Sequence, residues 1–359
     1  MFSSFREEGR NKSIDLIKLI ASLIVIFGHC MMHHISDASS TPLYNFIWLT
    51  QMPLFMFASG FVANKKQKFL TIKSYFLIEL KHFFVLVIPC LTYLVLTSLI
   101  YKKNIGSSFV DFFYDPQTNL WFLWVLFVIH IFFDFGLFVS TKIENKASFL
   151  VPVIIVAFFT IVVFSSTIIQ NNDFNYSILS IKLIAYYIPF FCLGYLFNLC
   201  VKTGLFEKKN WKIISYIGLG LCLLIVLFEC FHFKSIFEFD DSNFIYLIIR
   251  VIGSLSCIFL IVGITDVIIN ITFFRKISRL GRFSLESYYL HILYLPIFTY
   301  SMNNQAGQWG LCFATFNLAV IFVTLTLVII YFIPFLHLII FGKSFSYYSI
   351  EKKIPLILR

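Results

Sequence analysis

Apolar residues run through this chain in long blocks separated by short polar stretches, and the blocks are too uniform for helices that turn one face to water. The first opens at Ser13. Others follow at about 45–63, at about 83–101, from Asn119 onward, and at about 148–168, 179–200, 212–233, 244–272, 283–302 and 309–341. A helix needs about 20 mostly apolar residues to cross a hydrocarbon core. The pattern therefore predicts an all-α, polytopic membrane helix bundle of about ten transmembrane helices. No small-residue cleavage site follows a short apolar core in the first block, so it is expected to persist as a span rather than act as a signal peptide. Pro53 and Pro89 lie inside blocks and predict kinks.

Polar residues inside the first block are ordered. At 100° per residue Asp15, Lys18, Ser22 and His29 fall on one narrow stripe, and the remaining positions are almost all apolar. A carboxylate, an ammonium and an imidazole are costly to bury against lipid. The stripe is therefore expected to face protein or water and to form one wall of an active site.

Composition strengthens the membrane reading: 59% of residues are hydrophobic, 13% are charged and the mean hydropathy is +0.88. That excludes a single aqueous core. The net charge of +10 changes the picture only through its distribution. Lys and Arg crowd into residues 1–13, 65–73, 142–146, 202–212, 275–282 and the C-terminal tail, whereas the intervening loops hold only Lys102, Lys103 and Lys234. This asymmetry places both termini in the cytoplasm and predicts a multi-pass protein of the cell inner (plasma) membrane, with lipids as its surroundings. It argues against nucleic acid as a partner, because no basic cluster alternates with aromatics on a soluble face. Residues 1–345 are expected to form one transmembrane domain, and 346–359 a short cytoplasmic tail. Eight cysteines without a CxxC pair read as inert thiols. His29 and His33 stand at i, i+4, but no third ligand of suitable spacing follows, so no metal is expected; His33 and His34 read as interfacial.

Four motifs carry a resemblance. Ile14-Asp15-Leu16-Ile17-Lys18 is followed by His29; Pro53-Leu54-Phe55 precedes Ser59-Gly60-Phe61; Leu120-Trp121-Phe122-Leu123 opens the fourth block; and Leu280-Gly281 leads through Ser284-Leu285 to Tyr288-Tyr289-Leu290-His291. Together they resemble the acyltransferase-3 family of polytopic enzymes that O-acylate glycans. In that family the basic position of the first helix is usually Arg. Lys18 keeps the charge and loses the bidentate fork.

The resemblance implies transfer of an acetyl or similar acyl group from acetyl-CoA, the donor substrate, to a glycan or lipid-linked sugar. Such chemistry needs a base for the hydroxyl proton, donors for the developing oxyanion and cations for CoA phosphates. His29 is the expected base, with Lys18 and His291 as the other catalytic candidates. Asp15 lies about 21 Å along the helix from His29, too far to orient it, and is expected to pair with Lys18 at i+3. Asp15, Lys18, Lys73, Lys81 and Arg282 are expected at the donor end, although Lys73 and Lys81 equally read as positive-inside flanks, and Lys18 as a snorkelling lysine. Glu79 stands close to where the family would place an Arg. Ser59, Trp121, His130, Tyr288 and Arg250 are the expected acceptor contacts. Trp121 equally fits an interfacial anchor, and His130 a lone packing histidine near the bilayer midplane. Lys182 and Glu229 either touch the glycan or mark span ends, and Glu286 is expected to point away from the Ser284, Tyr288 and His291 face. A transporter or flippase of a lipid-linked sugar would share the ten spans and buried charges.

Overall fold

A computed structural model describes residues 3–6, 10–63, 71–100, 102, 104–114, 120–143, 146–169, 180–207, 209–232, 244–295 and 304–342. Their regular structure is helical throughout. In chain order the helices are α1 (Lys12–His34), α2 (Pro42–Val62), α3 (Ile72–His82), α4 (Ile88–Ile100), α5 (Ile105–Tyr114), α6 (Trp121–Ser140), α7 (Val151–Ile169), α8 (Ile181–Lys202), α9 (Lys209–His232), α10 (Phe244–Ile268), α11 (Thr272–Ile277), α12 (Ser284–Tyr294), α13 (Gln305–Phe332) and α14 (Pro334–Phe341).

Local chemistry sets several starts. Asn11 caps α1 by accepting from the Ile14 amide at 3.1 Å. Thr41 caps α2 ahead of Pro42, whose missing N–H costs nothing in a first turn. Thr71 and Ser74 satisfy each other's backbone amides in a capping box that starts α3.

Seven stretches among the described residues are long and apolar enough to cross a membrane: Lys12–His34, Pro42–Val62, Ile72–Ile100, Trp121–Ser140, Leu183–Lys202, Ile248–Ile268 and Gln305–Ile330. Ala147–Val162 and Tyr216–Phe231 are shorter apolar helices. The span expected at 283–302 is helical over Ser284–Tyr294, and residues 296–303 lie outside the described residues. The third span begins at Ile72 rather than 83, since the capping box starts a helix amid the basic residues that read as a loop. It continues through a π-helical turn at Phe83–Val87 into α4. The polar loop expected at 102–119 contains α5. The last apolar run divides at Ile333, where Pro334 opens α14.

The chain divides into two units, Met1–Ala63 with Phe190–Thr324 and Asn64–Pro189 with Leu325–Arg359. In the first unit α1 packs on α2, on α12 and on the 3₁₀ turn at Ser278–Phe283, while α2 packs on α9 and α10. Gly60 on α2 and Gly194 on α8 let the two backbones touch: a side chain at Gly60 would strike the Phe191 carbonyl, and one at Gly194 the Phe57 carbonyl. Polar links join the same helices. Asn45 Nδ2 donates to the Cys230 carbonyl at 3.1 Å, and Asn198 Nδ2 to the Phe61 carbonyl.

In the second unit the long third span packs on α6, α6 on α7, and α4 on α5 and α14. Tyr75 Oη donates to the Ile131 carbonyl at 3.2 Å. Large apolar side chains stand outward in both units, for example Ile154, Phe158 and Ile161 on α7 and Leu221, Leu224 and Phe228 on α9. In water such faces would drive aggregation, whereas against lipid they are at home. All eight cysteines are free thiols, six of them buried.

Candidate active site

Asn11 and its cap place Asp15 in the first turn of α1, where a carboxylate suits the exposed amides. Arg10, just before the helix, folds back over that turn. Its Nε meets Asp15 Oδ2 at 2.6 Å and its Nη2 meets Oδ1 at 3.0 Å. Lys18, one turn on, is the partner expected from the sequence; the fork of an arginine meets both carboxylate oxygens at once, which an ammonium cannot do. Gly281 lies against the Asp15 backbone so closely that a side chain there would collide with the Asp15 carbonyl. That contact seats the Ser278–Phe283 turn at the N-terminal end of α1. Arg282 follows, its Nε donating to the Arg279 carbonyl at 2.9 Å and its guanidinium 5.9 Å from the Phe283 ring centroid.

Farther along the stripe Lys18 is half-buried, and Ser22 Oγ donates to the Lys18 carbonyl at 2.9 Å, which spends the hydroxyl within its own helix. His29 is half-buried about 17 Å beyond Lys18 at 1.5 Å per residue. Its ring lies 5.3 Å from the ring of His291 on α12, the planes inclined by 44°.

His291 is fully buried, and its Nδ1 sits 2.9 Å from the Ser287 carbonyl. A carbonyl can only accept, so the ring proton is assigned to Nδ1 and the lone pair to Nε2. Nε2 is buried and has no hydrogen-bond partner among the described residues. The Tyr288 ring stands 5.6 Å from that of His291. Two motifs distant in sequence thus meet at a pair of imidazoles, with no carboxylate at ion-pair distance from either ring among the described residues.

The other expectations fare differently. Glu286, set off the motif's face, is fully buried. His34 is not interfacial: it is buried, with Nε2 at 2.8 Å from Thr315 Oγ1 of α13. Ser59 is half-buried on α2. Arg250 is buried on α10 with its guanidinium 5.5 Å from the Trp48 ring centroid, and buried Glu229 abuts Gly253, one turn farther along α10. The Lys182 side chain, and Lys65, Lys66 and Lys68, lie outside the described residues.

Lys73, Lys81, Trp121 and His130 belong to the second unit. Lys73 and Lys81 are exposed on α3, and Trp121 stacks on Tyr187 at 5.4 Å. His130 is not the lone histidine that its sequence surroundings suggest, because Asp134 on the next turn and His82 close around it.

Fold and site together define a polytopic, membrane-integral helical protein in which a half-buried and a buried imidazole meet. Comparison with known proteins narrows the class. The acyltransferase-3 family model, described as an acyltransferase domain, matches residues 11–336, and the chain belongs to that family. It is 23% identical over 234 residues to the nodulation protein NolL of Mesorhizobium japonicum, covering 62% of this chain and 56% of that protein. It is 24% identical over 199 residues to the nodulation protein NolL of Sinorhizobium fredii, covering 52% and 49%. The chain thus spans about half the length of these curated relatives. No solved structure matches it.

Proposed function

We propose that this acyltransferase moves an acetyl or similar short acyl group from cytoplasmic acyl-CoA to a sugar hydroxyl of a cell-surface or exported glycan, working in the plasma membrane with both termini in the cytoplasm. The observation that carries the reading is the meeting of His29 and His291 within the family-matched region.

His29 accepts the hydroxyl proton as the sugar oxygen attacks the thioester carbonyl. The carbon–sulfur bond breaks, and the departing thiolate takes the proton from His29, leaving an ester and the CoA thiol. His291, its Nδ1 proton committed to Ser287, presents only a lone pair toward the reaction and holds the His29 ring in place. Lys18 and Arg282 supply cationic contacts to the donor's phosphates. Asp15 serves that end through Arg10, which it orients. Ser59, Tyr288 and Arg250 are proposed for the acceptor.

Mass spectrometry of surface glycans from cells with and without the chain tests this. Acyl groups of defined mass on sugars, present only with the chain, are the expected result. Unchanged glycans together with no thioester consumption by purified protein would point instead to a flippase.

A further inference from the structure

The second unit contains a cluster that the acyl-transfer reading does not use. His82 closes α3, and His130 and Asp134 stand one turn apart on α6, which packs against it. His82 Nδ1 and His130 Nδ1 each lie 3.3 Å from the same oxygen, Asp134 Oδ2, and the two imidazole rings are 4.2 Å apart. One donor atom from each residue falls within 4.8 Å of the others. Glu79, one turn before His82, is buried, with Oε1 3.8 Å from His82 Nδ1 and neither oxygen hydrogen-bonded among the described residues.

Distances and donor chemistry bear on two accounts of this arrangement. His130 Nδ1 is within hydrogen-bond reach of Asp134 Oδ2, but at 3.3 Å both contacts to Asp134 are longer than a charge-assisted bond of about 2.7–2.9 Å. Bonds of about 2.0–2.1 Å to a tetrahedral zinc set its ligand atoms about 3.3–3.4 Å apart, which is the separation found here on two of the three edges. Two imidazoles and two carboxylates gathered at one place make a nitrogen-and-oxygen donor set that suits a divalent cation. The π turn Phe83–Val87 begins directly after His82, and such turns concentrate at functional sites. The side chains of His82 and His130 are 25% and 13% exposed, whereas the His82 Nδ1 donor and Asp134 are buried.

We propose that His82, His130 and Asp134 form a binding site for a divalent transition-metal ion of the zinc class, with Glu79 beside it as a further carboxylate and one coordination position open to water or another oxygen ligand. Three protein ligands with an open position is the pattern of reactive rather than purely structural zinc sites. The site also clamps α3 to α6. It is independent of the acyl-transfer reading, because metal content is measured without activity.

The test uses the full chain in detergent, purified without a polyhistidine tag, stripped with chelator, loaded with zinc chloride and desalted. Elemental mass spectrometry should find about one zinc per chain. His130→Gln and Asp134→Asn should lower that occupancy at least about tenfold, whereas His33→Gln, on the exposed end of α1, should leave it unchanged. Cobalt loading of the wild type should give visible absorption bands that zinc displaces. A wild-type occupancy below about a tenth of one ion per chain overturns the proposal, as does full occupancy retained in both α6 variants. The first result would mean that the cluster holds protons rather than a metal.

Discussion

Two groups of histidines, one in each unit, stand on apolar helices of this chain under opposite conditions. His29 and His291 meet across α1 and α12 with no carboxylate at ion-pair distance among the described residues, and His291 is fixed through a backbone carbonyl instead. His82 and His130 converge on one carboxylate oxygen, with a second carboxylate beside them. An imidazole that must take a proton from a substrate needs a nitrogen lone pair committed to nothing else. One that is to hold a cation needs partners that fix its ring and supply negative charge. The difference suits the first pair to the proposed proton chemistry and the second cluster to the proposed ligation.

Substitutions can break or sharpen this division. His29→Ala should cost the most, lowering acyl transfer by about 10²–10⁴-fold while protein abundance in the membrane stays at the wild-type level. His291→Asn, whose amide can still donate toward the Ser287 carbonyl, should lower the turnover rate by about 10²-fold with a smaller change in the donor's KM. A larger change in KM than in turnover would move His291 out of the reacting centre. Gly281→Ala should force the Ser278–Phe283 turn away from α1 at a cost of about 1–3 kcal/mol, read as a lower melting temperature in detergent together with weaker donor binding. Arg10→Ala removes the fork on Asp15. The Arg10 side chain is 38% exposed, so water takes up part of the loss and about 1–2 kcal/mol is expected by the same thermal assay. Thr315→Val, which removes the partner of buried His34, should cost about 1 kcal/mol, the scale of one interhelical hydrogen bond in a membrane protein.

Most of the helices were legible as apolar blocks, because a bilayer permits few alternatives to a helix that satisfies its own backbone. The stripe on α1 and the Tyr288–His291 motif were legible too, since helical periodicity alone puts their members on shared faces. That the two stripes face each other was not, for it depends on how α1 and α12 pack. The start of α3 escaped because Lys65 to Lys81 resembles a cytoplasmic flank, although the Thr71 and Ser74 capping signal was present in the sequence. Arg10 escaped for a different reason. It precedes the helix and reaches Asp15 by a turn of the chain that no helical period encodes. Asp134 could have been found from its i+4 spacing to His130, but His82 lies far off in sequence and joins them only through the packing of α3 on α6.

The central claim is that the His29 and His291 pair is where the acyl group changes hands. Release of free CoA thiol from acetyl-CoA by the purified protein, with and without a sugar acceptor, measures this most directly when wild type and His29→Ala are run side by side. Acceptor-dependent release by the wild type, reduced at least about 100-fold in the variant, is the predicted result. Equal release by the two proteins would contradict it.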